Sequence, residues 1–174
     1  MFLKHFETIL NENIKGDGEG WTIIDTFGGS GLLSYTAKRL KPEARVIYND
    51  FDGYAERLVH IDDINALRSQ LFTVVGNVTP KNKRMPKELK AECVKIIQAF
   101  DGYKDLNCLA SWLLFSGQQV ATIDELFQND FWHCIRQSDY PKTDSYLDGV
   151  EIVRESFHTL LPKFSDDQKA LFVL

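Results

Sequence analysis

The residues best placed to do chemistry are Asp25-Thr26-Phe27-Gly28-Gly29-Ser30-Gly31, which close the apolar run Trp21 to Ile24, and Asp50, which closes a second run from Val46 to Tyr48. Glycines between a strand and a helix let the backbone take positive φ and let a ligand approach where a Cβ would block it. The free N–H groups of the helix start then favour polar or anionic ligand atoms. Asp50 follows Asp25 by 25 residues. At the carboxyl end of a parallel strand such a carboxylate can accept hydrogen bonds from two ribose hydroxyls. Taken alone, an acid in that place caps the helix that follows. Taken with the glycine turn, it completes a site for a nucleoside cofactor.

Other nucleotide and nucleophile motifs fit less well. Gly29 and Gly31 begin a dinucleotide-type pattern, but its third glycine position holds Ser34, which disfavours a plain NAD site. No Gly-Lys pair precedes a Ser or Thr, so a phosphate loop of the ATPase kind is excluded. Leu32 stands where a nucleophile elbow around Ser30 would need glycine. Cys93, Cys108 and Cys134 are widely spaced, and His133 beside Cys134 lacks partner ligands, so neither a disulfide framework nor a metal site is expected.

The elements that must position the turn follow from the pattern of apolar residues. Phe2, Leu3, Phe6, Ile9 and Leu10 have helical spacing, and Lys15 to Gly20 breaks it. Trp21 to Ile24 reads as a buried strand and Leu32 to Leu40 as a helix stopped by Pro42. Arg45 to Tyr48 reads as a second strand. Asp52 to Leu71 reads as one long helix carrying Tyr54, Leu58, Ile61, Ile64 and Leu67 on one face. This β-α-β-α opening implies an α/β fold with a parallel sheet. The alternation then lapses. Residues 1–72 are expected to form the cofactor-binding half and 73–147 a mainly helical insertion. Residues 148–174 return to the sheet, with strands at Gly149 to Arg154 and Lys169 to Leu174.

With 174 residues, 44% hydrophobic and 26% charged, the chain is long enough for a proper core, and its longest apolar run, Leu109 to Phe115, is far short of a bilayer span. No membrane association is expected, and the protein is placed in the cytoplasm. A net charge of −5 argues against a surface that grips nucleic acid all over. Charge is nevertheless segregated: Asp50, Asp52, Glu56, Asp62 and Asp63 precede a basic segment of Lys81, Lys83, Arg84, Lys87 and Lys90. That segment is either a solvated helix start or an edge that contacts phosphates.

Asp25-Thr26-Phe27-Gly28-Gly29-Ser30-Gly31 and Tyr48-Asn49-Asp50-Phe51-Asp52 resemble the Dam-like adenine-specific DNA methyltransferases. The resemblance implies a Rossmann-like fold that binds S-adenosylmethionine through a turn of the form acid-x-Phe-x-Gly-x-Gly, here Asp25, Phe27, Gly29 and Gly31 with Gly28 and Ser30 between them. Asp50 would hold the ribose, with Phe51 beside it. After the third strand, Ser156 and Phe157 would face the adenine, Ser156 replacing the commoner aspartate. The insertion would read double-stranded DNA, with Lys81, Lys83, Arg84 and Lys87 on phosphates.

Two departures matter. Nothing before Trp21 matches the family's glycine- and lysine-containing opening segment. The catalytic motif Asp-Pro-Pro-Tyr is also absent: Pro42, Pro80, Pro86, Pro141 and Pro162 are all isolated. By resemblance that motif would follow Leu174, so no catalytic residue is assigned, and the chain is expected to be the binding part of a longer enzyme. A sheet stopping at its fourth strand would leave an open edge and invite self-association. The alternatives are a methyltransferase-like module with a binding or regulatory role, and a methyltransferase for RNA, protein or a small molecule.

Overall fold

In the computed structural model, which describes residues 2–174, the element order is α1 (Phe2–Asn13), β1 (Thr22–Asp25), α2 (Leu32–Leu40), β2 (Arg45–Asn49), α3 (Tyr54–Val59), α4 (Ile61–Val75), α5 (Lys87–Ala99), α6 (Leu106–Leu113), α7 (Ile123–Gln128), β3 (Glu151–Val153), α8 (Phe157–Leu160), a 3-10 turn (Leu161–Phe164) and β4 (Ala170–Val173). The chain divides into two compact units, residues 2–58 with 143–174, and residues 59–142.

The first unit is α/β and Rossmann-like. Among the described residues its sheet has four strands in the order β3-β2-β1-β4, all parallel. β1 is buried throughout, as a strand covered on both faces must be. Successive side chains point to opposite faces. Ile23, paired with Val46 and Leu171, joins Phe6 and Leu10 of α1, Ile14 just beyond it, and Ala37 of α2. Ile24, paired with Ile47 and Phe172, meets Leu160 on the other side. Because the strands run parallel, their carboxyl ends lie along one edge of the sheet, and the three loops after β1, β2 and β3 form the candidate site there.

The second unit is helical. Its core gathers Ile64, Leu67 and Leu71 of α4, Cys93 and Ile97 of α5, Leu109, Trp112 and Leu113 of α6, and Phe131. Arg68, almost fully buried, donates to the carbonyls of Arg136 and Gln137 at 3.0 and 3.1 Å and pairs with Asp139. Burial pushes the Cys93 thiol up to about 12, so it stays protonated in the core. No helix among the described residues is long and apolar enough to cross a membrane.

The expected single helix from Asp52 to Leu71 is two helices. Phe51 and Asp52 form a turn, and the helical run is interrupted at His60, which leaves Val59 78% exposed. The apolar face of α4 is buried in the helical core of the second unit, whose compact part begins at residue 59.

Candidate functional site

A cavity of about 470 Å³ opens at the carboxyl ends of three neighbouring strands. Thr26, Phe27 and Gly29 line it from the turn after β1, Asn49, Phe51 and Asp52 from β2, and Glu155, Ser156 and Phe157 from the loop after β3. Its size is that of a small-molecule site, and its place is where parallel α/β sheets bind ligands. Phe27, Phe51 and Phe157 are 62, 65 and 40% exposed around it, with Phe27 and Phe157 centred 5.7 Å apart at 50°. Three phenylalanines left wet at one opening offer flat apolar surface to an aromatic ligand. Thr26 is 1% exposed, and its hydroxyl has no hydrogen-bond partner. A buried polar atom left unpaired in a cavity wall is suited to meet a ligand.

The glycine turn is built by close approach. A Cβ on Gly28 would lie 2.1 Å from two ring carbons of Tyr48, so the ring packs directly onto bare backbone. The Tyr48 hydroxyl shares its single hydrogen between two acceptors, the Gly29 carbonyl at 2.8 Å and Asp50 Oδ1 at 2.9 Å. Burial and the adjacent carboxylate push its phenol far above the ordinary range, so it remains a donor. Gly29 itself has φ +49° and faces the cavity. Gly31 sits in the left-handed region as the N-cap of α2, and Ser30 is exposed beside it.

The two acids of the motif sit behind the cavity wall. Asp25 is buried and accepts from the Ser34 hydroxyl at 2.7 Å. The serine at the third-glycine position thus holds the acid that precedes the turn. Burial raises the Asp25 carboxyl above its usual range, and the Ser34 hydrogen bonds offset part of that. The folded state therefore holds this proton more tightly than the unfolded chain. Its stability is greatest below the ordinary carboxylate range and declines as pH rises through the raised folded value. Asp25→Asn keeps an acceptor for Ser34 without the charge. It should melt higher than the parent at about pH 8 and with it at about pH 3; equal melting at both pH values would contradict a buried charge.

Asp50 is 6% exposed, and its carboxylate accepts from the Tyr54 N–H at 2.6 Å and the Ala55 N–H at 2.9 Å, at the start of α3. Of the two roles read for it from sequence, the capping role is made, and Tyr48 adds a third donor to the same carboxylate. Asp52, two residues on, lines the cavity from an exposed position. Ser156 caps α8, its hydroxyl accepting from the His158 N–H at 3.3 Å.

Of the residues singled out from sequence, Phe27, Gly29, Phe51, Ser156 and Phe157 line the cavity. Asp25, Gly28, Ser30, Gly31 and Asp50 support or flank it. Sequence reasoning missed Thr26, Asn49, Asp52 and Glu155 as wall residues. Asn49 has the largest structural part: its Nδ2 donates to the carbonyls of Thr26 at 3.0 Å and Glu155 at 2.9 Å, while its Oδ1 accepts from the Glu155 N–H at 2.9 Å. The Asn-Asp pair was the available signal, since a polar residue ending a buried strand must find partners.

Lys81, Lys83, Arg84 and Lys87 lie exposed in the helical unit, and Arg84 pairs with Asp130. His133 is buried there with Nδ1 2.6 Å from the Thr79 carbonyl, and no cluster of three metal-ligating side chains occurs among the described residues.

Fold and cavity together define a Rossmann-like unit with a nucleoside-sized site on its strand ends. Over 174 residues the chain is 63% identical to a protein of Haemophilus influenzae named "Putative methyltransferase", a match that covers 100% of this chain and 59% of that protein. The chain thus spans about three fifths of the length of this relative. No protein-family model matches the chain, and no solved structure does.

Proposed function

We propose that the chain binds S-adenosylmethionine in the cavity over β1, β2 and β3, and that the protein methylates the amino group of adenine in double-stranded DNA. The observation that carries the cofactor is the cavity itself: three wet phenylalanines, the unpartnered Thr26 hydroxyl and a glycine wall at one strand-end opening. The Haemophilus influenzae relative, a methyltransferase by name, supports the reaction class. The turn and the Asn-Asp pair support the adenine-specific DNA class, by resemblance only. Phe51 and Phe157 would take the adenine ring, Asp52 the ribose hydroxyls, with Asp50 behind it fixing the loop that carries both, and the backbone of Phe27 to Gly29 the rest. When bound, the cofactor supplies an electrophilic methyl group on sulfur. Asp-Pro-Pro-Tyr does not occur in the sequence, so the proposal gives this chain the binding of cofactor and target.

Titration calorimetry with S-adenosylhomocysteine tests the reading. The parent chain should bind. Gly29→Val should weaken binding at least roughly tenfold, because a branched side chain would enter the cavity at a φ that disfavours it. Phe157→Ala should weaken it by a similar factor through lost stacking area, about 1 kcal/mol or more. No heat and no affinity with the parent would refute the cofactor assignment.

A further inference from the structure

The charge around the strand-end cavity is one-sided. Its wall carries two carboxylates, Asp52 and Glu155, and no lysine, arginine or histidine. Two more acids stand behind the wall, and each already takes the amide hydrogens that open a helix. Asp25 accepts from the hydroxyl of Ser34 at 2.7 Å and from its N–H, in the first turn of α2. Asp50 does the same for Tyr54 and Ala55 at the start of α3. The Gly31 N–H is committed as well, to the Gly28 carbonyl at 2.7 Å, and a Cβ on Gly31 would meet Leu147 at 3.0 Å, so that side of the turn is closed by protein.

Helix starts in glycine turns are where nucleotide-binding folds receive phosphate. Here the chain's own anions fill them, and a phosphate brought to the cavity would meet carboxylates and no cation in the wall. The flat surfaces of Phe27, Phe51 and Phe157 act in the same direction, since an aromatic face attracts a cation. The Thr26 hydroxyl, unpartnered and 1% exposed in the wall, marks the cavity as a place for a ligand. One acid is partly offset: Lys163 donates to both carboxylate oxygens of Glu155 at 2.6 Å without itself lining the cavity. Asp52, exposed on the wall, is then the carboxylate that a ligand's charge meets most directly.

We infer that the cavity selects its ligand by charge, holding a nucleoside that carries a positive charge and rejecting nucleoside phosphates. Asp52 sets the preference, and Lys163, a positioning residue acting through Glu155, limits it. The inference rests on the reading of the cavity as an S-adenosylmethionine site. It adds a direction to the exchange of cofactor: methyl transfer turns the sulfonium into a neutral thioether, so the product is the form that this wall holds less well.

Competitive calorimetry on the whole chain tests it with S-adenosylmethionine, S-adenosylhomocysteine, an analogue bearing a protonated amine at the sulfur position, adenosine and adenosine 5′-monophosphate. The parent should hold S-adenosylmethionine and the amine analogue roughly tenfold more tightly than S-adenosylhomocysteine, and adenosine roughly tenfold more tightly than its monophosphate. Asp52→Asn should shrink both ratios by roughly threefold or more at low salt, and added salt should shrink them in the parent. A lost hydrogen bond alone would lower all the affinities together and leave the ratios where they were. Lys163→Met, a change outside the wall, should move both ratios the opposite way by freeing the Glu155 carboxylate. The inference is overturned if the amine analogue binds like the thioether, if the monophosphate binds as well as adenosine, or if either variant leaves the ratios unchanged. A parent that binds S-adenosylmethionine and S-adenosylhomocysteine equally overturns this inference alone. One that binds neither removes the proposed function as well.

Discussion

Gly28→Ala should abolish binding in the strand-end cavity and lower stability by about 3 kcal/mol or more, the combined effect of overpacking and lost hydrogen bonds. The methyl group would sit 2.1 Å from Tyr48 ring carbons and 3.2 Å from the Asn49 carbonyl. Relief by a swing of the ring is not open, because Tyr48 is fully buried and its hydroxyl is committed to Gly29 and Asp50. The backbone must move instead, and it is the backbone that shapes the turn. Denaturant unfolding and calorimetry with S-adenosylhomocysteine measure the two effects. Adding Tyr48→Leu to Gly28→Ala should recover part of the stability, since it removes the ring atoms that the methyl group meets. If Gly28→Ala alone melts with the parent, the ring is not held as described.

The second large effect is expected at Asp50. Asp50→Asn leaves one acceptor where three donors converge, and turns an amide NH2 toward the N–H groups of Tyr54 or Ala55. Leaving a buried donor unpaired costs about 1 to 3 kcal/mol. In a chain of this size that shifts the melting point by roughly 5 °C. Under the proposed function it should also weaken S-adenosylhomocysteine, because the residue that starts α3 stands beside the ribose. Asp52→Asn separates the two contributions. Its exposed carboxylate caps nothing, so the melting point should stay at the parent value while affinity falls. A destabilised Asp52→Asn would show that the two acids share the structural work.

The parts legible in the sequence are those with short-range causes. β1 and β2 lie within one residue of where their apolar runs placed them, and α2 covers the expected Leu32 to Leu40. The glycine turn and the aromatic residues that line the cavity were also marked by type and position. Three things were hidden for physical reasons. The run Leu58, Ile61, Ile64 keeps helical spacing across the interruption at His60, so periodicity could not show the break. Asp50 and Asp52 are the same residue type two positions apart, and only the turn at Phe51-Asp52 sends one behind the wall and the other into it. Trp132 stands between two buried neighbours, Phe131 and His133, in an extended stretch where alternation turns it outward, which its apolar type alone could not show.

The side chain of Asn49 behaves as a displaced peptide group. β3 is short, ending at Val153, yet Asn49 offers Glu155 one acceptor and one donor, as a further residue of a neighbouring strand would. A carboxamide thus extends the ladder beyond the last strand residue, and carries Ser156 and Phe157 on what is in effect sheet rather than free loop. Aspartate at 49 would lack the donor, and leucine would lack both groups. The far wall of the cavity is therefore held in register by a single side chain, with a rigidity that three residues of strand would not confer.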